Sequence, residues 1–295
     1  MKSPNPSKAE ARYTIILFYK FFEVKNTKKL MKEQRKICES LNLKGRFLIA
    51  TEGVNATLEG ETKDINKYIR GMHAKRNFKN VVFKKSKGTG KGFTKLMVKV
   101  RPEVVTLGAG KFNVKKETAK SITPAELERL YKKDKDFVVL DLRNNFEIEV
   151  GQFERTIHPN IKNFRDLPSK IPKLKALKKK KIIIVCTGGI RCEKASCLLK
   201  REGFEDMYQL KDGIHAYMQK YPNKNFKGSL FVFDNRMVTP VVDVPKRVIM
   251  GKCVYCNKAC EDFYNDDSTR PSTKVICCIT CIKQHKNILR QAVSI

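Results

Sequence analysis

Residues 182–191 read Ile-Ile-Ile-Val-Cys-Thr-Gly-Gly-Ile-Arg, and this stretch decides the fold of the middle of the chain. Residues 182–185 are continuously apolar and β-branched, which is typical of a buried strand. Residues 192–201 contain no glycine or proline and predict a helix. Cys186 is therefore expected at the carboxyl end of a strand, in a tight loop that leads into a helix N-terminus.

Three features of this loop favour an ionised thiol at Cys186. The loop amides and the helix dipole attract negative charge, and Arg191 adds a full positive charge. Because each of them lowers a thiol pKa, Cys186 is predicted to be a reactive thiolate rather than an inert core cysteine. The residues expected to form the anion cradle with Arg191 are Thr187, Gly188, Gly189 and Ile190.

The size and charge of the chain limit the classes of function. With 295 residues it is long enough for two or three domains. A net charge of +32, from 62 basic and 30 acidic side chains, attracts polyanions, most commonly nucleic acid. A compositional habit of the source genome and a membrane surface are the alternatives. No stretch approaches the ~20 apolar residues of a transmembrane helix, and residues 1–12 are polar, so we expect no membrane partner and a cytoplasmic protein.

Residues 12–105 alternate strand and helix signals in the order βαββαβ, which predicts a ferredoxin-like α+β domain. The expected elements are a strand at 13–19, a helix capped by Asn26 or Thr27 that runs to about residue 41, strands at 46–50 and 55–59, a helix at 61–73 and a final strand at 96–100.

A basic segment at 84–95 carries five lysines, three glycines and one phenylalanine. As a mobile loop it would hold a phosphate backbone, with the phenylalanine stacked on a base; a solvated hairpin tip is the alternative. A second basic stretch covers 173–181. The predicted nucleic-acid-binding residues are Lys84, Lys85, Lys87, Lys91, Phe93, Lys95, Lys178, Lys179 and Lys180.

Residues 120–222 alternate strands and helices, which predicts an α/β domain with a parallel sheet and helices on both faces. The reactive loop of such a fold lies at the carboxyl edge of the sheet, where Cys186 falls. Asp141 and Arg143 directly follow a predicted strand at 137–140. They orient the Cys186 loop or contact substrate, or they form a structural ion pair.

The segment 245–295 is a small cysteine-rich tail that holds six of the ten cysteines. Cys253, Cys256, Cys278 and Cys281 form two Cys-x2-Cys pairs, a spacing at which four thiolates converge on zinc. Four protein ligands leave no open position, so the zinc would be structural. The alternative interpretation is that these cysteines bind no metal and serve only as small apolar residues of a core. The spare donors are Cys260, Cys277 and His285, so the sequence leaves the ligand set open.

The six residues from Cys186 to Arg191 resemble the active loop of rhodanese-type sulfurtransferases, in which the cysteine carries a persulfide sulfur. Cysteine phosphatases of the related fold use a loop one residue longer, commonly introduced by His, whereas Val185 stands here. The wider rhodanese order is followed by Asp141-x-Arg143, Phe146-Glu147, Gly151 and Leu210-x-x-Gly213-Ile214. Rhodanese-type sulfur chemistry is therefore favoured over phosphate chemistry.

The ten residues Cys-Thr-Gly-Gly-Ile-Arg-Cys-Glu-Lys-Ala at 186–195 look like those of the rhodanese-domain tRNA uridine hydroxylases of bacteria, and so does Glu52-Gly53-Val54-Asn55. The resemblance implies a ferredoxin-like domain, a rhodanese domain and a cysteine-rich tail. It also implies oxygen-dependent conversion of the wobble uridine of tRNA to 5-hydroxyuridine, with molecular oxygen as co-substrate. One departure is Gln152, where the family commonly has His. We expect no flavin, haem or nucleotide cofactor, because the sequence has no signature for them.

Cys192 lies at the start of the helix that follows the loop. Either the helix N-terminus activates it as well, so that it resolves a persulfide or forms a transient disulfide, or it packs beneath the loop. Cys197 is expected in the core.

Three functions from different classes remain open. The first is a tRNA-modifying enzyme. The second is a general sulfurtransferase that moves sulfur from thiosulfate, or from a protein donor, to a small acceptor or carrier protein. The third is a non-catalytic RNA-binding protein. Salt-sensitive tRNA binding would separate the first from the second, because phosphate contacts release counterions.

Overall fold

We describe the fold from a computed structural model, which covers residues 11–242, 245 and 247–292. Residues 1–10, which form most of the polar N-terminal segment, and 293–295 of the predicted tail lie outside the described residues. The chain divides into two compact units, Met1–Val104 and Val105–Ile295. None of the helices in the described ranges is long and apolar enough to cross a membrane.

The first unit is a five-stranded sheet covered by two helices, as expected for a ferredoxin-like domain. Its elements are β1 (Tyr13–Phe21), α1 (Thr27–Ser40), β2 (Lys44–Ala50), β3 (Gly53–Glu61), α2 (Thr62–His73), β4 (Lys84–Lys87) and β5 (Leu96–Val100). The helix α1 begins where predicted, because the Asn26 side chain accepts a hydrogen bond from the amide of Lys29. The strand order is β4-β1-β3-β2-β5, and only the β2–β5 pair is parallel.

The prediction that 96–100 is the strand that closes the βαββαβ motif was wrong. That strand is β4, which pairs with β1, whereas β5 is an additional strand at the opposite edge, beside β2. Lysines on an edge strand discourage pairing with another chain, so a lysine-rich sequence is compatible with this position. In the sequence analysis, the lysines of this strand were interpreted as part of a basic loop at 84–95.

The second unit contains a parallel five-stranded sheet in the order β6-β11-β10-β7-β9, together with three small antiparallel sheets. Its helices are α3 (Val114–Glu117), α4 (Pro124–Lys132), α5 (Asn145–Ile148), α6 (Leu167–Lys170), α7 (Ile190–Arg201), α8 (Gly213–Lys220) and α9 (Ile279–Gln284), with 3-10 turns at Phe164–Asp166 and Ile171–Leu177. Its strands are β6 (Lys120–Ile122), β7 (Val138–Asp141), β8 (Gly151–Phe153), β9 (Thr156–Ile157), β10 (Ile182–Val185), β11 (Met207–Leu210), β12 (Phe226–Gly228), β13 (Leu230–Phe231), β14 (Val238–Thr239), β15 (Phe263–Asp266), β16 (Thr273–Ile276) and β17 (Leu289–Gln291).

The central strand β10 contributes to two cores because successive side chains point to opposite faces of a sheet. Ile182, Ile184 and Cys186 pack with the apolar face of α7 on one side. Ile183 and Val185 pack with residues of α4 and α8 on the other side. The continuously apolar sequence of this strand follows from burial on both faces.

The cysteine-rich tail forms its own small fold within the second unit. The strands β15, β16 and β17 make an antiparallel sheet in the order β16-β15-β17, and α9 precedes the last strand. Cys253, Cys277, Cys278 and Cys281 are buried together with Leu289 in a small cluster. Thiols therefore take the place of a larger apolar core in this part of the chain.

Candidate active site and cysteine cluster

The loop between β10 and α7 wraps its backbone around the sulfur of Cys186. The amide of Gly189 donates a hydrogen bond to Cys186 Sγ over 3.1 Å. Gly189 reaches this position with φ of 100°, a left-handed conformation that side chains rarely adopt. The sequence folds in this way because glycine stands at the residue that turns the strand into the helix.

The start of α8 supports the loop from behind. The amides of Ile214 and His215 donate to the carbonyl oxygens of Cys186 and Thr187, at 3.0 and 3.1 Å. Gly213 makes this contact possible, since a Cβ atom there would lie 2.7 Å from the Cys186 carbonyl oxygen. With these carbonyls engaged away from the sulfur, the loop presents amides to it.

The Cys186 thiol is built to be ionised although it is fully buried. Burial alone raises its pKa, but a hydrogen bond from the Cys192 thiol, the charge of Arg191 and two backbone amides outweigh that effect. Together they lower the pKa of Cys186 from 9.0 to about 6. The side chain is therefore a thiolate at neutral pH.

Cys192 does not fit the prediction of a second activated thiol. Burial raises its pKa, and so does its hydrogen bond to Cys186, because losing the shared proton would place two anions side by side. Cys192 therefore stays protonated and donates to the Cys186 thiolate. Packing beneath the loop, the other alternative, agrees with its complete burial.

Arg191 is held by Glu147, which the sequence analysis quoted as part of the rhodanese order but did not select as a site residue. The two guanidinium nitrogens donate to the Glu147 carboxylate over 2.5 and 2.8 Å, and one of them also reaches Thr187 Oγ1 at 3.1 Å. Thr187 in turn donates to Glu147 over 3.1 Å. Burial of Glu147 raises its pKa, but the charge of Arg191 outweighs this and keeps the pKa below its usual value.

A sequence signal for Glu147 was present in the capping box that starts α5. The amide of Asn144 donates to Glu147 Oε1 over 2.8 Å, as expected for Asn-x-x-Glu at a helix start. The same carboxylate then faces the loop from a position 40 residues before Thr187. The Asn-x-x-Glu spacing identifies the start of α5 in the sequence. Only the fold shows that the start of α5 lies against the Cys186 loop.

Asp141 and Arg143 form a structural ion pair, so the expectation of substrate contact does not fit the structure. Both side chains are fully buried, and the guanidinium binds both carboxylate oxygens of Asp141 at 2.7 to 3.0 Å. Arg143 also donates to the carbonyl oxygens of Glu147 and Gly151. Because it ties the segment that carries Glu147 to the end of β7, the pair supports the loop indirectly.

The basic candidates divide into exposed and buried side chains. Phe93 is 4% exposed and therefore does not stack on a base in this structure. Lys84 is buried with its Nζ 5.0 Å from the centroid of the Tyr19 ring, because its side chain lies on the inner side of an edge strand. Lys178 is half-buried, with Nζ 5.9 Å from the Phe204 ring. The exposed candidates are Lys85, Lys87, Lys91, Lys95, Lys179 and Lys180.

The loop of residues 88–92 is held by a buried carboxylate. Glu59 accepts hydrogen bonds from the amides of Thr89, Gly90 and Gly92 over 2.7 to 2.9 Å. These contacts argue against the predicted mobile loop, because they fix its backbone to β3 through three amides.

Four cysteines of the tail converge on one point. The sulfur atoms of Cys253, Cys256, Cys278 and Cys281 all lie within 4.8 Å of one another, and those of Cys256 and Cys278 are 3.6 Å apart. Tetrahedral zinc with Zn–S bonds of about 2.3 Å needs sulfur separations of about 3.8 Å. The donor set and its spacing therefore fit a tetrahedral thiolate site.

The other tail donors lie outside this cluster. Cys260 and Cys277 do not belong to the group of four sulfur atoms that lie within 4.8 Å of one another. Backbone amides outweigh burial at Cys253 and lower its pKa to about 5. His285 stacks its ring on Tyr255 with a centroid distance of 3.6 Å. Of the donors that the sequence left open, the structure brings these four thiols together.

A thiolate in a six-residue loop between a central parallel strand and a helix defines a rhodanese-like cysteine enzyme. Residues 123–220 match the Rhodanese-like domain family, residues 227–292 the Rhodanase C-terminal family and residues 13–104 the UPF0176 acylphosphatase like domain. A rhodanese-like domain protein from Staphylococcus aureus, solved by crystallography, is 28% identical, with the match covering 33% of this chain and 90% of that one at a TM-score of 0.30.

Relatives that match nearly the whole chain define the family more narrowly. A "tRNA uridine(34) hydroxylase" of Aster yellows witches'-broom phytoplasma is 36% identical over 91% of this chain and 88% of its own. Proteins of the same name from Staphylococcus aureus and Staphylococcus carnosus are 35% identical over 95% and 93% of this chain, and 92% and 91% of their own. This chain belongs to the tRNA uridine(34) hydroxylase family.

Proposed function

We propose that this protein hydroxylates uridine 34 of tRNA to 5-hydroxyuridine, with Cys186 as its reactive thiol. The observation that carries the proposal is the 36% identity, over 91% of the chain, to a relative named for this activity. The ionised Cys186 and the net charge of +32 support it, because they supply a reactive group and a field that attracts RNA. A tRNA substrate also favours a cytoplasmic location.

The residues around Cys186 would stabilise negative charge on its sulfur throughout the reaction. The Gly189 amide and the Arg191 charge act on the sulfur as the donors of an oxyanion hole act on oxygen. If the thiolate attacks the outer sulfur of a donor, an S–S bond forms to Cys186. The donor leaves with the electron pair of the broken bond, and the same amides then face the persulfide.

Molecular oxygen as co-substrate and a protein sulfur donor complete the proposal. One atom of dioxygen would be added to the uracil ring and the other reduced to water by a two-electron reductant such as a thiol. Nucleosides from cells given isotopically heavy dioxygen should therefore carry the heavy isotope. A sulfur donor should transfer labelled sulfur to the wild-type protein and not to Cys186→Ala. Unlabelled 5-hydroxyuridine from labelled cells would contradict the use of molecular oxygen.

The test of the main proposal is mass spectrometry of tRNA nucleosides from cells that lack the gene. Wild type should restore 5-hydroxyuridine and Cys186→Ala should not. Cys197→Ala is the matched control, since Cys197 is a buried thiol in α7, the helix that follows the Cys186 loop, and donates a hydrogen bond to the Glu193 carbonyl oxygen. Restoration by Cys186→Ala would remove the thiol from the mechanism, and no restoration by wild type would refute the activity.

A general sulfurtransferase is the second candidate, because the rhodanese-like match at residues 123–220 contains the ionised Cys186. It predicts transfer of sulfur from thiosulfate to cyanide or a small thiol at a rate independent of tRNA. It gives no reason for the net charge or for the first unit. Rapid transfer by a protein that leaves tRNA nucleosides unchanged would favour it.

We further propose that the four converging tail cysteines hold a structural zinc ion. Because all four positions of a tetrahedral ion would be filled by protein, the metal would hold the two Cys-x2-Cys segments together and take no part in the chemistry. Elemental analysis should find zinc in the wild type and in Cys260→Ser, and lose it in Cys278→Ser. Purified wild type without zinc, with a tail unaffected by chelators, would contradict this assignment.

A further inference from the structure

We propose that the tips of the two Cys-x2-Cys segments bind an unpaired nucleotide of the tRNA, with its base stacked on Tyr255. This inference rests on the proposed tRNA substrate and adds a second contact far in sequence from Cys186. The knuckle surface, as we call it, consists of Lys252, Val254, Tyr255, Lys258 and Ile279. All five are exposed.

The apolar members of the knuckle surface stand out in water rather than in a core. Val254 is 54% exposed, Tyr255 40% and Ile279 73%, while the neighbouring Cys253 and Cys281 are buried. These three side chains lie between the cysteines of the two pairs and are too exposed to stabilise a core. Apolar groups clustered at a surface are typical of a binding site.

The two segments are joined, so the surface is continuous. The Val254 amide donates to the carbonyl oxygen of Ile276, at the end of β16, over 3.0 Å. The sulfur atoms of Cys256 and Cys278 are 3.6 Å apart, which brings Tyr255 close to the start of α9. The tips of both segments therefore belong to one surface.

Tyr255 is held in an orientation suited to stacking. Its ring lies on the His285 ring with a centroid distance of 3.6 Å and an angle of 6° between the planes. Since His285 covers one face, the exposed area of Tyr255 belongs to its edge and its other face. A base placed there would extend an existing stack, and every base has a face that can do so.

The charges around these rings fit a phosphate backbone. Lys252 and Lys258 flank the first segment, and Lys283 and Lys286 follow the second; all four are exposed. Neither 251–259 nor 277–288 contains an aspartate or glutamate, and Asp266, at the end of β15, places one negative charge close to Tyr255. Lysines that contact phosphates beside an exposed aromatic ring form the combination by which proteins hold single-stranded nucleic acid.

The experiment measures the Kd of the full-length protein for unmodified tRNA bearing uridine 34, by fluorescence anisotropy at several salt concentrations. Tyr255→Ala should raise Kd about tenfold, whereas Tyr255→Phe, which keeps the ring, should bind like wild type. Val82→Ala removes an equally exposed apolar group (51%) in the first unit and serves as the control. Lys252→Ala with Lys258→Ala should lower the slope of log Kd against log salt by about 1 to 2.

Zinc content and thermal unfolding are measured for each variant, so that loss of the tail fold is recognised. If Tyr255→Ala loses zinc, Ile279→Ser, at the most exposed position, replaces it and should weaken tRNA binding several-fold. Unchanged tRNA binding by folded variants would overturn the inference. This holds even if the variants change self-association or the binding of another protein. Weakened binding by a protein that forms no 5-hydroxyuridine would support this inference and refute the proposed activity instead.

Discussion

Replacing Cys192 by alanine tests how the Cys186 thiolate is stabilised. The Cys192 thiol donates the strongest interaction that lowers the pKa of Cys186 against the effect of burial. A hydrogen bond to a charged group contributes about 1.5–3 kcal/mol, and one pKa unit corresponds to about 1.4 kcal/mol. Losing it should therefore raise the pKa of Cys186 from about 6 by about one to two units.

The pKa is measured from the ultraviolet absorbance of the thiolate as a function of pH. Each protein is compared with the same protein carrying Cys186→Ala, so that the difference isolates one of the ten cysteines. Cys192→Ser keeps a donor and should restore part of the shift, and Cys197→Ala should leave the midpoint unchanged. A midpoint of Cys192→Ala equal to that of wild type would show that backbone amides and Arg191 suffice without the second thiol.

Three further perturbations test the surroundings of the loop. Glu147→Gln removes the carboxylate that binds both terminal nitrogens of the buried Arg191, so the free energy of unfolding should fall by about 3–5 kcal/mol in denaturant titrations. A loss below about 1 kcal/mol would contradict a buried pair. Gly213→Ala should abolish activity because its Cβ would meet the Cys186 carbonyl, whereas Gly108→Ala has a similar φ of 69° but open space and should stay active. Equal loss in both would assign the effect to backbone strain. Because Cys186 has a lowered pKa in the folded state, its stabilising contribution is present at higher pH and is lost as pH falls through about 6. The difference in unfolding free energy between wild type and Cys186→Ser should therefore shrink as the pH falls from 9.0 to about 6. A constant difference would contradict the lowered pKa.

The reactive loop could be predicted because its determinants are local. A β-branched strand, a pair of glycines and an arginine lie within ten consecutive residues. The strand positions Cys186, and the Gly189 amide and the Arg191 charge act on its sulfur. The sequence could not decide whether Cys192 is activated or packs beneath the loop, and the reason is physical. The sequence shows its place at a helix N-terminus but not that its thiol points at another sulfur, which reverses the direction of its pKa shift.

Contacts between distant segments could not be predicted in the same way. The partner of Arg191 is Glu147, 44 residues earlier, and only the packing of α5 against the loop brings them together. Phe93 was expected to be available because its neighbours are lysines and glycines. Glu59 fixes the backbone of the preceding residues, and the phenylalanine is buried. The composition of a segment can predict that the segment lies at the surface. It cannot predict whether one side chain of that segment, such as Phe93, points into the core.

Cys186 is ionised at neutral pH but completely buried, so its sulfur is charged without being accessible to solvent. Peroxides and other small oxidants attack cysteines that are both ionised and exposed to solvent. Here the thiolate is maintained at neutral pH while its residue has no exposed surface. In the mechanism proposed above, burial would protect the charged sulfur from overoxidation between turnovers, and a reactant would reach it only after part of the surrounding structure had moved aside.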